Sequence, residues 1–185
     1  LPNLFTVPSN ILVGISLGSE QTFSIQLVMQ IITSILLYVG GVVLNDYFDF
    51  EEDKKHRPNR PVASGRIPKL NALVLASIAF GISLLIAYFI GTLSFLISIL
   101  LIVTIIGYDY YLKNSIFGPM VMATARVLNI LLGLSTYSNT VSYNSLTGLV
   151  LSDTFLFIFG ISLISRSETY PKVPKLRIGS VLMIM

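Results

Sequence analysis

The side chains most able to do chemistry are crowded into one short stretch. Five of the nine acidic residues lie between Asp46 and Asp53, within Asn45-Asp46-Tyr47-Phe48-Asp49-Phe50-Glu51-Glu52-Asp53. Asp46, Asp49 and Asp53 fall at i, i+3 and i+7, and Asn45, Asp49 and Asp53 at i, i+4 and i+8, so a continuous helix puts them on one face. Three carboxylates on one face repel one another unless a cation lies between them. A hard divalent ion with oxygen ligands meets that need, and Mg²⁺ typically takes one or two carboxylates together with substrate phosphates. A solvated helix end, its acids paired with Lys54, Lys55 and Arg57, explains the same residues, and on the acids alone the two readings stand at even weight. His56, the single histidine, shares this charged stretch, where solvation is a commoner fate than general-base catalysis.

The next residues shift that balance. Arg57-Pro58-Asn59-Arg60-Pro61-Val62-Ala63-Ser64-Gly65-Arg66-Ile67-Pro68 sets arginines and a Ser-Gly turn directly after the acids. Arginine presents a planar fork of donors that matches phosphate oxygens. A metal ion and these arginines together could hold a diphosphate.

The elements that position this loop belong to a membrane protein. The chain of 185 residues is 54% hydrophobic and only 11% charged, with a mean hydropathy of +0.81, whereas a soluble domain carries about 25% charged residues. Apolar runs of nearly the length needed to cross a bilayer recur along the chain, and backbone in lipid must satisfy its own hydrogen bonds, so these runs are helices. The expected spans are Asn3 to Gly18, Thr22 to Leu44, Leu70 to Gly91, Thr92 to Leu112, Phe117 to Ser135 and Gly148 to Ser165, with a further one beginning at Arg177. The fold class is therefore all-α: a polytopic transmembrane bundle of six helices plus the start of a seventh. Without cysteine there is no disulfide, thiolate metal site or cysteine nucleophile.

Charge distribution gives an independent check. Eleven of the twelve lysines and arginines fall in alternate loops, after the second, fourth and sixth spans. That pattern reads as topology, with the charged loops cytoplasmic, and not as affinity for nucleic acid. The exception is Arg126, inside the fifth span, where an ionised side chain is costly and by default functional. Asn129 follows it by one turn, and the bland alternative for both is a structural pair that ties helices together. Asn10 in the first span is a similar case. No internal repeat or cleavable signal is evident, and residues 1–185 read as a single membrane domain. Because the chain starts at Leu1 and stops inside an apolar run, it reads as a fragment, truncated at its C-terminus and also at its N-terminus.

The pattern Asn45-Asp46-x-x-Asp49-x-x-x-Asp53, followed by Arg57-Pro58-x-Arg60-Pro61-x-x-Ser64-Gly65-Arg66, resembles the first signature of the UbiA prenyltransferase superfamily. Its place at the end of the second span agrees, as do Leu1-Pro2-Asn3-Leu4-Phe5-Thr6 and Tyr108-Asp109-Tyr110-Tyr111-Leu112-Lys113, which resembles the family's tyrosine and lysine element. The resemblance covers essentially the whole chain and implies a bundle of about nine helices, the last two or three absent here, around a cavity open to lipid. It implies Mg²⁺ as cofactor, an allylic prenyl diphosphate and a lipophilic acceptor as partners, and membrane lipid as the surroundings. The implied metal ligands are Asn45, Asp46, Asp49, Asp53 and Glu168. The implied catalytic residues are Asp49, Lys113, Arg126 and Tyr108. Substrate contacts are implied for Asn10, Asn45, Arg57, Arg60, Arg66, Asn129 and Arg166.

One part of the pattern departs. Where the family carries a second aspartate-rich motif, this chain has Ile164-Ser165-Arg166-Ser167-Glu168-Thr169, with one acid. Glu168 is then a remnant or a ligand of a variant site, and Arg166 could replace metal charge by touching diphosphate directly. A basic flank of the sixth helix is the plain alternative. Tyr110 and Tyr111 suit an interfacial aromatic belt, Asp109 is a candidate participant beside Lys113, and Asp153 is expected near the far end of its helix. The functional expectation is Mg²⁺-dependent transfer of a prenyl group within the membrane. The alternative is a catalytically silent relative that binds isoprenoid lipid, while a transporter would need two related halves with broken helices, which the sequence does not show.

Overall fold

The computed structural model describes residues 6–18, 24–137 and 144–169, with side chains to residue 165. Among these residues every regular element is helical: α1 (Thr6–Ser16), α2 (Ile25–Phe48), α3 (Phe50–His56), α4 (Lys69–Ile90), α5 (Thr92–Gly107), α6 (Gly118–Leu134) and α7 (Ser145–Thr169). A single π-helical turn, Tyr108–Leu112, prolongs α5. Six of these helices answer the six expected spans. Four segments have the length and apolarity to cross a membrane: Ile25–Phe48, Lys69–Ile90, Thr92–Leu112 and Ser145–Ser165. Thr6–Ser16 and Gly118–Leu134 are apolar but shorter. The short helix α3 was not expected, and the span expected from Arg177 lies outside the described residues.

Lipid offers no hydrophobic drive for helices to associate, so close backbone approach and interhelical hydrogen bonds must supply it. Both occur. The α1–α6 contact is made through glycine: a Cβ on Gly14 would strike the Ile130 carbonyl oxygen and the Leu134 amide, and one on Gly133 would strike the backbone of Ile11. Where α2 lies along α4, a Cβ on Gly40 would come within 2.6 Å of the Phe80 ring. Polar ties join α2 to α6: Gln30 Nε2 donates to the Leu132 carbonyl at 2.5 Å, and Ser34 Oγ donates to Asn129 Oδ1 at 2.6 Å. Ser94 and Ser135 pair at 2.8 Å between α5 and the end of α6. Ile11, Leu37, Leu44, Phe80, Leu101, Leu128 and Leu132 fill the space between the seams. The outer faces carry exposed Leu85, Phe89, Leu96, Val103 and Leu149, as a lipid-facing surface requires.

Asp153 departs from its expected place. Because α7 begins at Ser145, Asp153 stands eight residues, about 12 Å, inside the helix, with its side chain exposed.

The glycine seam predicts a specific sensitivity. Gly133→Val should destabilise the folded protein by about 1–3 kcal/mol through overpacking. Gly81→Ala, where a Cβ meets nothing within 4 Å, should leave stability unchanged or slightly raised. Unfolding of the full-length protein in mixed detergent micelles distinguishes the two.

Candidate functional site

The α2–α3 junction builds the acidic end of the site. Helical hydrogen bonding persists across it, from Asp49 N to the Asn45 carbonyl at 2.9 Å and from Asp53 N to the Asp49 carbonyl at 2.7 Å. The three aspartates nevertheless do not face one point. Seven residues turn a helix by about 700° and three by about 300°, so Asp46 and Asp53 stack within about 20° while Asp49 sits about 60° aside. Asp46 and Asp53 accordingly share one partner: Arg60 Nη1 lies 3.0 Å from Asp46 Oδ1 and 2.9 Å from Asp53 Oδ2. Asp49 pairs instead with Lys113, at the end of the π turn.

Arg60 reaches back because the loop folds under itself. Ser64 N bonds the Arg60 carbonyl at 2.8 Å, and Ile67 N bonds the Pro61 carbonyl at 3.1 Å. Gly65 takes φ 77°, a left-handed conformation that favours glycine. Val62 is buried beneath the turn. Lys54 and Lys69 lie 4.2 and 5.0 Å from the centre of the Phe50 ring, which holds α3 and the start of α4 together.

The π turn supplies the opposite wall. It buries Asp109 while leaving Tyr110 and Tyr111 exposed. Asn45 Nδ2 donates to Asp109 Oδ1 at 3.1 Å, so Asn45 ties the acidic junction to α5. Burial draws the Lys113 ammonium below its ordinary range, while the carboxylate of Asp49 beside it favours the charged form.

Some of these groups, though not Asp49, Asp53 or Lys113, line a cavity of about 440 Å³. Asn45, Asp46, Arg60, Tyr108 and Asp109 line one part of it; Leu37, Val42, Leu101, Ile105, Val121 and Ala125 give it apolar walls. Arg126 and Asn129 also line it. Asn129 is fully engaged, accepting from Ser34 and donating to the Val7 carbonyl at 3.3 Å, and so fixes α1 and α2 against α6. Arg126 Nη1 donates to Thr6 Oγ1 at 3.0 Å.

Other expected residues lie elsewhere. Arg57 is exposed and only 4.0 Å from Asp53; the Arg66 side chain is exposed. Asn10 is not among the residues lining the cavity, and its Nδ2 is buried without a hydrogen-bond partner among the described residues. Arg166 and Glu168 belong to the last turns of α7, but their side chains lie outside the described residues. Sequence reading passed over Thr6, Ser34 and Tyr38, neutral residues whose spacing carries no signal. It gave Asp109 only a marginal place, since burial there depends on a π turn that no residue pattern announces.

Among the described residues, no group of three Asp, Glu or His is arranged to hold a metal alone. Two carboxylate oxygens do converge on a single cationic nitrogen of Arg60, a hard-oxygen pair of the kind that Mg²⁺ takes together with phosphate ligands. The donor set therefore fits that ion.

Residues 7–172 match the UbiA prenyltransferase family. Over 113 residues the chain is 32% identical to the digeranylgeranylglyceryl phosphate synthase of Metallosphaera sedula, covering 60% of this chain and 40% of that one. Over 104 residues it is 38% identical to the corresponding synthase of Saccharolobus solfataricus, covering 53% and 35%. The chain thus spans less than half the length of these relatives. Its fold matches a structure solved in work on digeranylgeranylglyceryl phosphate synthase in membranes, with TM-score 0.78 at 20% identity, over 91% of this chain and 60% of that one. It also matches the apo structure of a UbiA homolog from Aeropyrum pernix K1, with TM-score 0.73 at 15% identity, over 96% and 66%. With four helices of crossing length and a family match over most of its residues, this integral membrane chain belongs to the UbiA prenyltransferase family.

Proposed function

We propose that the protein of which this chain is part transfers a prenyl group, within the membrane and with Mg²⁺, from an allylic prenyl diphosphate to a lipophilic acceptor. One observation carries the reading: a cavity joins a polar end, where Asp46 pairs with Arg60, to apolar walls between helices. An amphiphile with a charged head and a hydrocarbon tail has that shape and polarity.

Asp46 and Asp53, with Asn45 and Asp49 beside them, would hold the metal, and Glu168 would join them if α7 turns it inward. A bound Mg²⁺ would supply charge stabilisation for the departing diphosphate. Arg60, and Lys113 held by Asp49, would meet the same charge as it develops, and preorganised cations in a dry site act strongly on it. Tyr108, on the cavity wall, would lie beside the leaving group, while the exposed Arg57 and Arg66 would stay outside the site. The apolar walls hold the tail and keep water from the allylic centre. By the positive-inside rule, the basic loops would put this rim on the cytoplasmic side.

A second reading has its own support. Asp46, Asp49 and Asp53 are each neutralised by a cation of the chain itself, an arrangement that also suits a silent isoprenoid-binding relative.

Two results separate these readings. With geranylgeranyl diphosphate and full-length protein in membranes, diphosphate release should require Mg²⁺, stop with EDTA, and fall by at least about a hundredfold in Asp49→Asn. The silent reading predicts no release, with prenyl diphosphate binding retained. Arg60→Gln should raise the KM for prenyl diphosphate and lower kcat, whereas Arg57→Gln, an exposed pair of small worth, should stay within about threefold of wild type.

A further inference from the structure

Arg126 stands apart from Arg60, the other cation lining the cavity among the described residues. Arg60 has two carboxylate partners and Lys113 has one, but no carboxylate among the described residues comes within ion-pair distance of Arg126. Its one hydrogen bond there runs to Thr6 Oγ1, which uses one of five guanidinium donors. The side chain is nonetheless half-buried and lines a cavity that Val7, Met122 and Ala125 line as well. An ionised group in such a place is expensive unless an anion or dense hydrogen bonding meets it.

The position also separates Arg126 from the acidic rim. Its α6 neighbour Asn129 is bonded to Ser34 of α2, which stands twelve residues before Asp46 on that helix, about 18 Å along its axis. Asn129, one turn along α6, is fixed by Ser34 and Val7, so the helix that carries Arg126 is held firmly against α1 and α2. The cavity therefore has two cationic stations: a carboxylate-paired one at Arg60, and one at Arg126 that the described chain leaves without a counter-charge.

We propose that Arg126, with Thr6 beside it, receives an anionic group of the acceptor, a carboxylate or a phosphate, and so restricts acceptors to lipophilic molecules that carry one. The proposal rests on the reading of this cavity as a prenyl-transfer site. A guanidinium fork binds either oxyanion through paired hydrogen bonds. Held in this way, the acceptor is oriented with its nucleophilic end toward the diphosphate station, and Arg126 serves as a specificity-determining residue.

The test measures binding to full-length protein in nanodiscs. The probes are a geranylgeranylglyceryl phosphate and 4-hydroxybenzoate, each set against its neutral counterpart, geranylgeranylglycerol and phenol. A non-hydrolysable geranylgeranyl thiodiphosphate reports the donor station separately, and elution volume and melting temperature report folding. In the wild type, one anionic probe should bind at least about tenfold tighter than its neutral counterpart, and the probe that does so tells phosphate from carboxylate. Arg126→Gln should abolish that preference and leave thiodiphosphate binding within about twofold, while Arg126→Lys should keep part of the preference. The proposal is overturned if neither anionic probe is preferred, if the preference survives in folded Arg126→Gln, or if thiodiphosphate binding falls as much as probe binding. Failure of thiodiphosphate to bind wild type counts against the transfer reading, while an anion preference that depends on Arg126 still supports this one.

Discussion

The structure turns on how a chain that is mostly hydrocarbon keeps a charged loop folded against its own helices. Arg60 solves this by placing one nitrogen between Asp46 and Asp53, at 3.0 and 2.9 Å, so that a loop residue grips the end of α2 and the start of α3 at once. Asp53 is almost wholly buried, and a buried carboxylate without such a partner would be strongly destabilising. The second pair, Asp49 with Lys113, fastens the same junction to α5. Together these contacts close the charged end of the cavity, and they also concentrate there the two kinds of group that a metal-bound diphosphate needs.

The rest of the bundle makes room behind that rim. Glycines at 14, 40 and 133 let α1, α2, α4 and α6 approach closely, and buried hydroxyl and amide groups bind the seams where apolar attraction is weak. The cavity lies beside those tight seams, with α2 running along its length from Ser34 to Asp46. One helix therefore carries both the polar mouth and part of the apolar wall, which couples the position of the head of a bound amphiphile to that of its tail.

Much of this was legible in the sequence, for definable reasons. Long apolar runs announce helices, and the acid-arginine loop announces itself by charge density. Spacing alone also suggested three aspartates acting as one cluster. The structure divides them, because a seven-residue step nearly closes two turns and a three-residue step does not. The π turn at Tyr108–Leu112, which buries Asp109, leaves no trace in composition. Arg126 stood out as a charge among apolar residues, but its partner Thr6 is 120 positions away, and no local pattern could pair them. Asn129 was read as a substrate contact or a structural tie, and its hydrogen bonds to Ser34 and Val7 give the tie.

The central claim is that Asp46, Asp53 and Arg60 form one station for a metal ion and a diphosphate. Electron spin echo spectroscopy of Mn²⁺ added in place of Mg²⁺ to the full-length protein, with non-hydrolysable geranylgeranyl thiodiphosphate, tests it most directly. The account predicts ³¹P coupling to bound Mn²⁺ that disappears in the Asp46→Asn, Asp53→Asn double variant. Coupling of equal strength in that variant, or Mn²⁺ that binds without any coupling to phosphorus, would contradict it.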